Sequence, residues 1–141
     1  MDVSARDPAT LVPHAGTMCL ITHIVSADDR QIVCSTSTHR SPDNPLRLDG
    51  QLASLHIAEY GAQTMAIHGG LLDPTARERG GMLAGVRDLN LYVARLDDIA
   101  EDLEIHAQRL IANPGGQIYL FTARAGEKEI ARGRVSVMFA K

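Results

Sequence analysis

Tryptophan is absent from this 141-residue chain, and there are only two phenylalanines and three tyrosines. So few rings provide no series on which nucleic-acid bases would stack. No basic run makes up for it, since the net charge is -3, and nucleic acid is excluded as a partner. Cysteine is also scarce. Cys19 and Cys34 fit no metal or redox spacing, and in a reducing compartment they read as two buried thiols rather than a disulfide. No apolar run is long enough to cross a bilayer. The opening Met1-Asp-Val-Ser-Ala-Arg-Asp-Pro8 lacks the apolar core of a signal peptide, so the expected location is the cytoplasm. No internal repeat or linker divides the chain. Residues 1–141 therefore read as a single domain long enough to bury a core.

What the sequence does hold is one stretch, 51–68, with helical periodicity. Leu55, Ala58, Ala62, Met65 and Ala66 recur at intervals of three and four and predict an apolar stripe facing a sheet. Its many alanines keep the surface thin. Glu59 falls on that stripe, where a carboxylate is costly unless it is paired or functional. A helix of about 17 residues is about 25 Å long, and Gly69-Gly70 reads as its C-terminal cap.

Around this helix the period is two. Residues 18–26 and 31–39, separated by Asp28-Asp29, predict a hairpin. After it, 40–50 is a loop punctuated by two prolines, and Pro13-His-Ala-Gly16 reads as a short capping turn. Beyond the polar connector 73–81, residues 82–96 predict a long strand with a bulge at Arg87-Asp88. Leu103, Ile105, Ala107 and Ile111 alternate with polar neighbours. Residues 118–125 are apolar on both faces, as in a central strand or an interface strand. Ala131, Gly133, Val135 and Val137 point one way in the last strand, Arg132 and Arg134 the other. Two strands, one helix and four strands predict an α+β fold, an antiparallel six-stranded sheet with its helix on one face. A single sheet around one helix leaves an open edge, so at least a dimer is expected.

These residues resemble a known family. Leu11-Val-Pro-His14 followed by Met18-Cys-Leu-Ile-Thr-His23, and Glu59-Tyr-Gly-Ala-Gln63, are similar to the opening and the central-helix signature of hot-dog-fold 3-hydroxyacyl-acyl-carrier-protein dehydratases. His39, Asn44-Pro-Leu-Arg47 and Glu59-Tyr-Gly-Ala-Gln-Thr-Met-Ala-Ile-His-Gly69 resemble the dehydratase-like proteins of aryl-polyene biosynthesis clusters. One departure stands out: the common enzymes carry His-Phe-Pro-Gly before the helix, and this chain does not. Fourteen positions before Glu59 sits Pro45, with His39 further back.

The resemblance implies a curved sheet wrapped around a central helix, and dehydration of a 3-hydroxyacyl thioester to the trans-2-enoyl thioester. Such a reaction needs a base for the C2 proton, an acid for the departing hydroxyl and donors for the thioester oxygen. It implies His39 as the base and Glu59 as the acid, meeting across a dimer. An apolar helical face suits an acid, because it favours the neutral carboxyl. The backbone N–H of Ser54 would hold the thioester oxygen, and Gln63, one turn beyond Glu59, would orient the carboxylate. Substrate would arrive on the phosphopantetheine of an acyl carrier protein, with no cofactor or metal resident in the protein. His56 and Glu59 are three apart but lack a third ligand at matching spacing. His14, His23 and His106 read as structural or exposed, and His68 as a cation near the helix C-terminus. Arg77, Arg79, Arg87, Arg132 and Arg134 form either a docking patch for an acidic carrier protein or a solvated strand face. Two other functions fit the same scaffold. In an acyl thioesterase a helix carboxylate activates water; a non-catalytic subunit would only bind the acyl chain within a hetero-oligomer.

Overall fold

The computed structural model describes residues 1–3, 5–12, 16–73 and 81–139. Pro13, His14 and Ala15 of the expected capping turn lie outside the described residues, as do most of the polar connector and its Arg77 and Arg79. The strands are β1 (His23–Ala27), β2 (Gln31–Thr36), β3 (Gly81–Leu91), β4 (Leu103–Asn113), β5 (Gly116–Ala125) and β6 (Lys128–Phe139), with one long helix, α1 (Ile57–Leu72). They form one six-stranded sheet in the order β1-β2-β4-β5-β6-β3, antiparallel throughout. The central position expected for β5 holds, and β1 and β3 are the edges. The helix packs on β2, β4, β5, β6 and β3.

The helix meets the sheet on a different face from the one its alanines predict. Ile57, Tyr60, Gly61, Thr64, Ile67 and His68 are buried, and of the predicted stripe Met65 alone is buried with them. Leu55 is 60% exposed, and Ala58, Ala62 and Ala66 are only half-buried. The reason is a close approach at Gly61. A Cβ there would come within 2.7 Å of the Phe121 ring, and one on Gly133 of β6 within 3.1 Å of the ring's Cε1. Phe121 thus occupies space that side chains at two glycine positions would contest, and the helix sits down onto β5 along the line that Gly61 opens.

The boundaries also move for local reasons. Asp49 and Gly50 both adopt positive φ (53° and 75°). They turn the chain so that Leu48 and Gln51 pair, which keeps 51–53 extended. The helix follows only after a 3-10 turn, Ser54–His56. At its other end α1 runs through Gly69 and Gly70 to Leu72. Gly70 is packed against Leu11, 3.2 Å from where its Cβ would be. It is a contact position rather than a cap. β3 ends at Leu91 after the expected irregularity between Arg87 and Asn90. Residues 94–97 then strap the helix lead-in: Ala53 bridges Arg95, Leu96 N donates to Leu52 O (2.8 Å), and Asp97 accepts from Leu52 N (2.8 Å). A shift in β4 between Arg109 and Ile111 changes the parity of the strand. Ile111, expected inside, is 52% exposed on the outer face, since one extra residue flips every later side chain.

Candidate active site

β2 ends at Thr36, and Thr38–Arg40 coils into a single 3-10 turn. Threonine hydroxyls compete well for nearby carbonyls. Here Thr36 and Thr38 both donate to Leu20 O (2.5 and 2.7 Å), halting the strand. The turn carries His39 inward, fully buried. Its Nε2 lies 3.1 Å from Ile99 O and 2.9 Å from Glu101 O. Carbonyls only accept, so Nε2 holds the proton and Nδ1 keeps its lone pair. Nδ1 is buried with no hydrogen-bond partner. Burial holds the ring's pKa below the ordinary imidazole range, and the neighbouring Arg40 charge lowers it further. His39 is therefore a neutral imidazole with Nε2 anchored and Nδ1 without a hydrogen-bond partner.

The loop before the helix encloses this turn. Asn44 donates from Nδ2 to Thr38 O and to Tyr60 Oη (both 3.0 Å), while its Oδ1 accepts from Leu46 N (2.9 Å). Tyr60 Oη also lies 2.9 Å from Thr38 Oγ1. Arg47 donates to His39 O (3.1 Å) and Gly50 O (2.9 Å), and its Nε is buried without a partner. Asn44 and Arg47 were visible in sequence only as part of a motif. The hydrogen bonds that give them a role reach carbonyls, which sequence does not display.

Glu59 sits one residue before Tyr60, half-buried on the helix face that also carries exposed Leu55. Gln63 is buried and clamps the segment ahead of β1: its Oε1 accepts from Leu20 N (2.8 Å) and its Nε2 donates to Met18 O (2.7 Å). The same Nε2 is 3.5 Å from Glu59 Oε1. Glu59 and Gln63 are thus adjacent, as the i, i+4 spacing requires. Ser54 is buried at the start of the helical region, and its N–H donates to Ala94 O (3.0 Å). A thioester oxygen held by that N–H would take the place of Ala94 O. Within one chain His39 makes no hydrogen bond to Glu59. Its Nε2 is engaged by the two carbonyls and its Nδ1 has no partner.

The remaining candidates fall elsewhere. His68, expected as a cation near the helix end, is fully buried instead. Its Nε2 donates to Asp28 O (2.6 Å) and its Nδ1 accepts from Tyr119 Oη (2.5 Å), and burial lowers its pKa. His23 is exposed and His106 half-buried, with His106 Nε2 2.8 Å from Gln31 Oε1. Among the described residues no group of three His, Cys, Asp or Glu side chains is placed to hold a metal ion. Cys34 is buried and its thiol is pushed up to about 12 by desolvation; Cys19 is half-buried, and both are free. Arg132 pairs with Glu129 (2.9 Å) and Arg134 lies 3.8 Å from Asp88. Arg87 is opposite Arg134 in register. No helix among the described residues is long and apolar enough to cross a membrane.

No curated protein matches the chain in sequence. Solved structures do match in shape. The dehydratase heterocomplex ApeI:P from Xenorhabdus doucetiae aligns with a TM-score of 0.82 and 20% identity, covering 96% of this chain and 91% of that one. A putative thioesterase from Silicibacter sp. TM1040 aligns at 0.63 and 13%, covering 84% and 78%. A thioesterase from Staphylococcus aureus, solved as a mutant, aligns at 0.61 and 15%, covering 84% and 92%. The six-stranded antiparallel sheet with one long helix is the hot-dog fold that these proteins share. The ApeP dehydratase family model matches residues 6–141, nearly the whole chain, and the protein belongs to that ApeP-like dehydratase family.

Proposed function

We propose that the protein dehydrates a 3-hydroxyacyl thioester, delivered on the phosphopantetheine of an acyl carrier protein, to the trans-2-enoyl thioester in aryl-polyene or related synthesis. Family membership supports the reaction class, and the bare Nδ1 of His39 carries the mechanism. That nitrogen takes the C2 proton, and the C–H electron pair becomes the C2–C3 double bond. The C3–O bond breaks, and the hydroxyl leaves as water with a proton from the Glu59 carboxyl. Gln63 holds Glu59 from one turn away. The thioester oxygen, as negative charge gathers on it, replaces Ala94 O on the Ser54 N–H. The proton on His39 then returns to Glu59 through solvent, closing the cycle without a resident cofactor. His39→Ala should abolish loss of water from a 3-hydroxyacyl carrier protein, followed by intact mass. Turnover at the parent rate would rule the mechanism out.

His39 and Glu59 are not joined within one chain, and among the described residues β1 and β3 are the edge strands, each paired on one side only. These observations favour a site completed by a second chain, either a copy or a different hot-dog protein. A structural neighbour is a dehydratase heterocomplex. If purified chain alone is inactive but regains turnover when mixed with a second hot-dog protein from the same gene neighbourhood, the hetero-oligomer is the working form.

A further inference from the structure

His39 is held in its base-competent tautomer by backbone alone, and something must hold that backbone. The two carbonyls on Nε2 belong to Ile99 and Glu101. The carbonyl between them, Ala100 O, accepts from Arg40 Nη1 (2.7 Å), and Asp102 Oδ1 accepts from Arg40 Nη2 (2.7 Å). Two successive residues of one 3-10 turn thus grip residues 99–102 at four points, the imidazole at the carbonyls of Ile99 and Glu101 and the guanidinium at the Ala100 carbonyl and the Asp102 carboxylate. Packing holds this segment only in part: Ile99 is partly buried against the core. Asp98, Ile99, Ala100 and Glu101 line an open cavity of about 390 Å³, closed further off by Ala125 and Ile130.

From this geometry we infer that Arg40 and Asp102 are positioning residues for His39. The guanidinium keeps the carbonyls of Ile99 and Glu101 turned toward Nε2, and so keeps the proton off Nδ1. This rests on His39 being the base. A structural role alone is a poor account of the pair, because the side chains are 37% and 61% exposed and such surface ion pairs contribute little to folding. The charged groups around the ring are Arg40 and Asp102, with Arg47 on its main-chain oxygen.

The test uses the full chain labelled with 15N-histidine, with His39 assigned by its loss in His39→Gln. Long-range 1H–15N spectra of the parent should show His39 as the Nε2–H tautomer. Arg40→Ala and Asp102→Ala should each give a mixture in which Nδ1–H is populated, while the backbone spectrum stays that of the folded chain. Arg40→Lys, which keeps one donor and the charge, should restore part of the parent signal. In turnover, kcat should fall about tenfold with KM unchanged, as for a misoriented group. A parent tautomer in both alanine variants overturns the inference. A shifted tautomer with unchanged kcat instead upholds the clamp and overturns His39 as the base.

Discussion

The two histidines buried among the described residues are kept neutral by desolvation, which outweighs the backbone hydrogen bonds that would favour the charged ring. His39 donates to two carbonyls and His68 to one, and each is desolvated. Their folded pKa values lie below the ordinary imidazole value. At a pH between the folded and unfolded values the unfolded chain binds more protons, so stability rises with pH. It should therefore be lost on acidification, beginning near pH 6.5 and deepening down to the depressed folded value. Each histidine adds a slope of at most about 1.4 kcal/mol per pH unit. Urea unfolding between pH 7.5 and 5 should show the loss, and His68→Gln should make the slope shallower. Gln63 provides a second prediction. Gln63→Leu leaves Leu20 N–H and Met18 O without their partner, and should cost about 1–3 kcal/mol, read as a lower urea midpoint. Sequence pointed to His39, Glu59 and Gln63. It did not show which nitrogen of His39 is free, since that is set by carbonyls some sixty residues away.

The helix illustrates how an element can be recognised and still be turned the wrong way. Its length and place in the chain are legible from the apolar spacing. Its buried face is not, because small residues lie on both sides and the deciding one is a glycine, which hydrophobic periodicity does not weigh. Gly61 lets α1 settle against Phe121. Gly61→Ala places a methyl group 2.7 Å from that ring. Such overpacking should cost about 1–3 kcal/mol, with a lowered Tm by calorimetry. Strand β4 misleads in a related way. Alternation predicts Ile111 inside, but the irregularity after Arg109 reverses the parity. The bulge at Arg87-Asp88 of β3 is legible in the sequence, whereas the one after Arg109 falls within a stretch that reads as one alternation from Leu103 to Ile111, and is not.

Taken whole, the chain leaves two features open to a partner. β3 is an eleven-residue edge strand, and the helix face bearing Glu59 also presents Leu55, 60% exposed, with half-buried alanines below it. Unpaired edges invite strand addition, and thin alanine surface allows close approach of another backbone. The protein should sediment at micromolar concentration as an assembly of at least two chains, with itself or with a second hot-dog protein. Leu55→Lys should lower the assembly mass while leaving the far-ultraviolet circular dichroism unchanged. An unchanged mass would place the interface elsewhere.

The order of strands and helix, the antiparallel class and the family were settled by sequence, because hydrophobic period and a local motif are properties of neighbouring residues. Which helix face is buried, which imidazole nitrogen is free and what holds it there were decided only by tertiary structure. Each depends on atoms that sequence does not display: a glycine's missing methyl group against Phe121, and the backbone carbonyls of Ile99 and Glu101 brought to His39 from the far side of the helix in the chain.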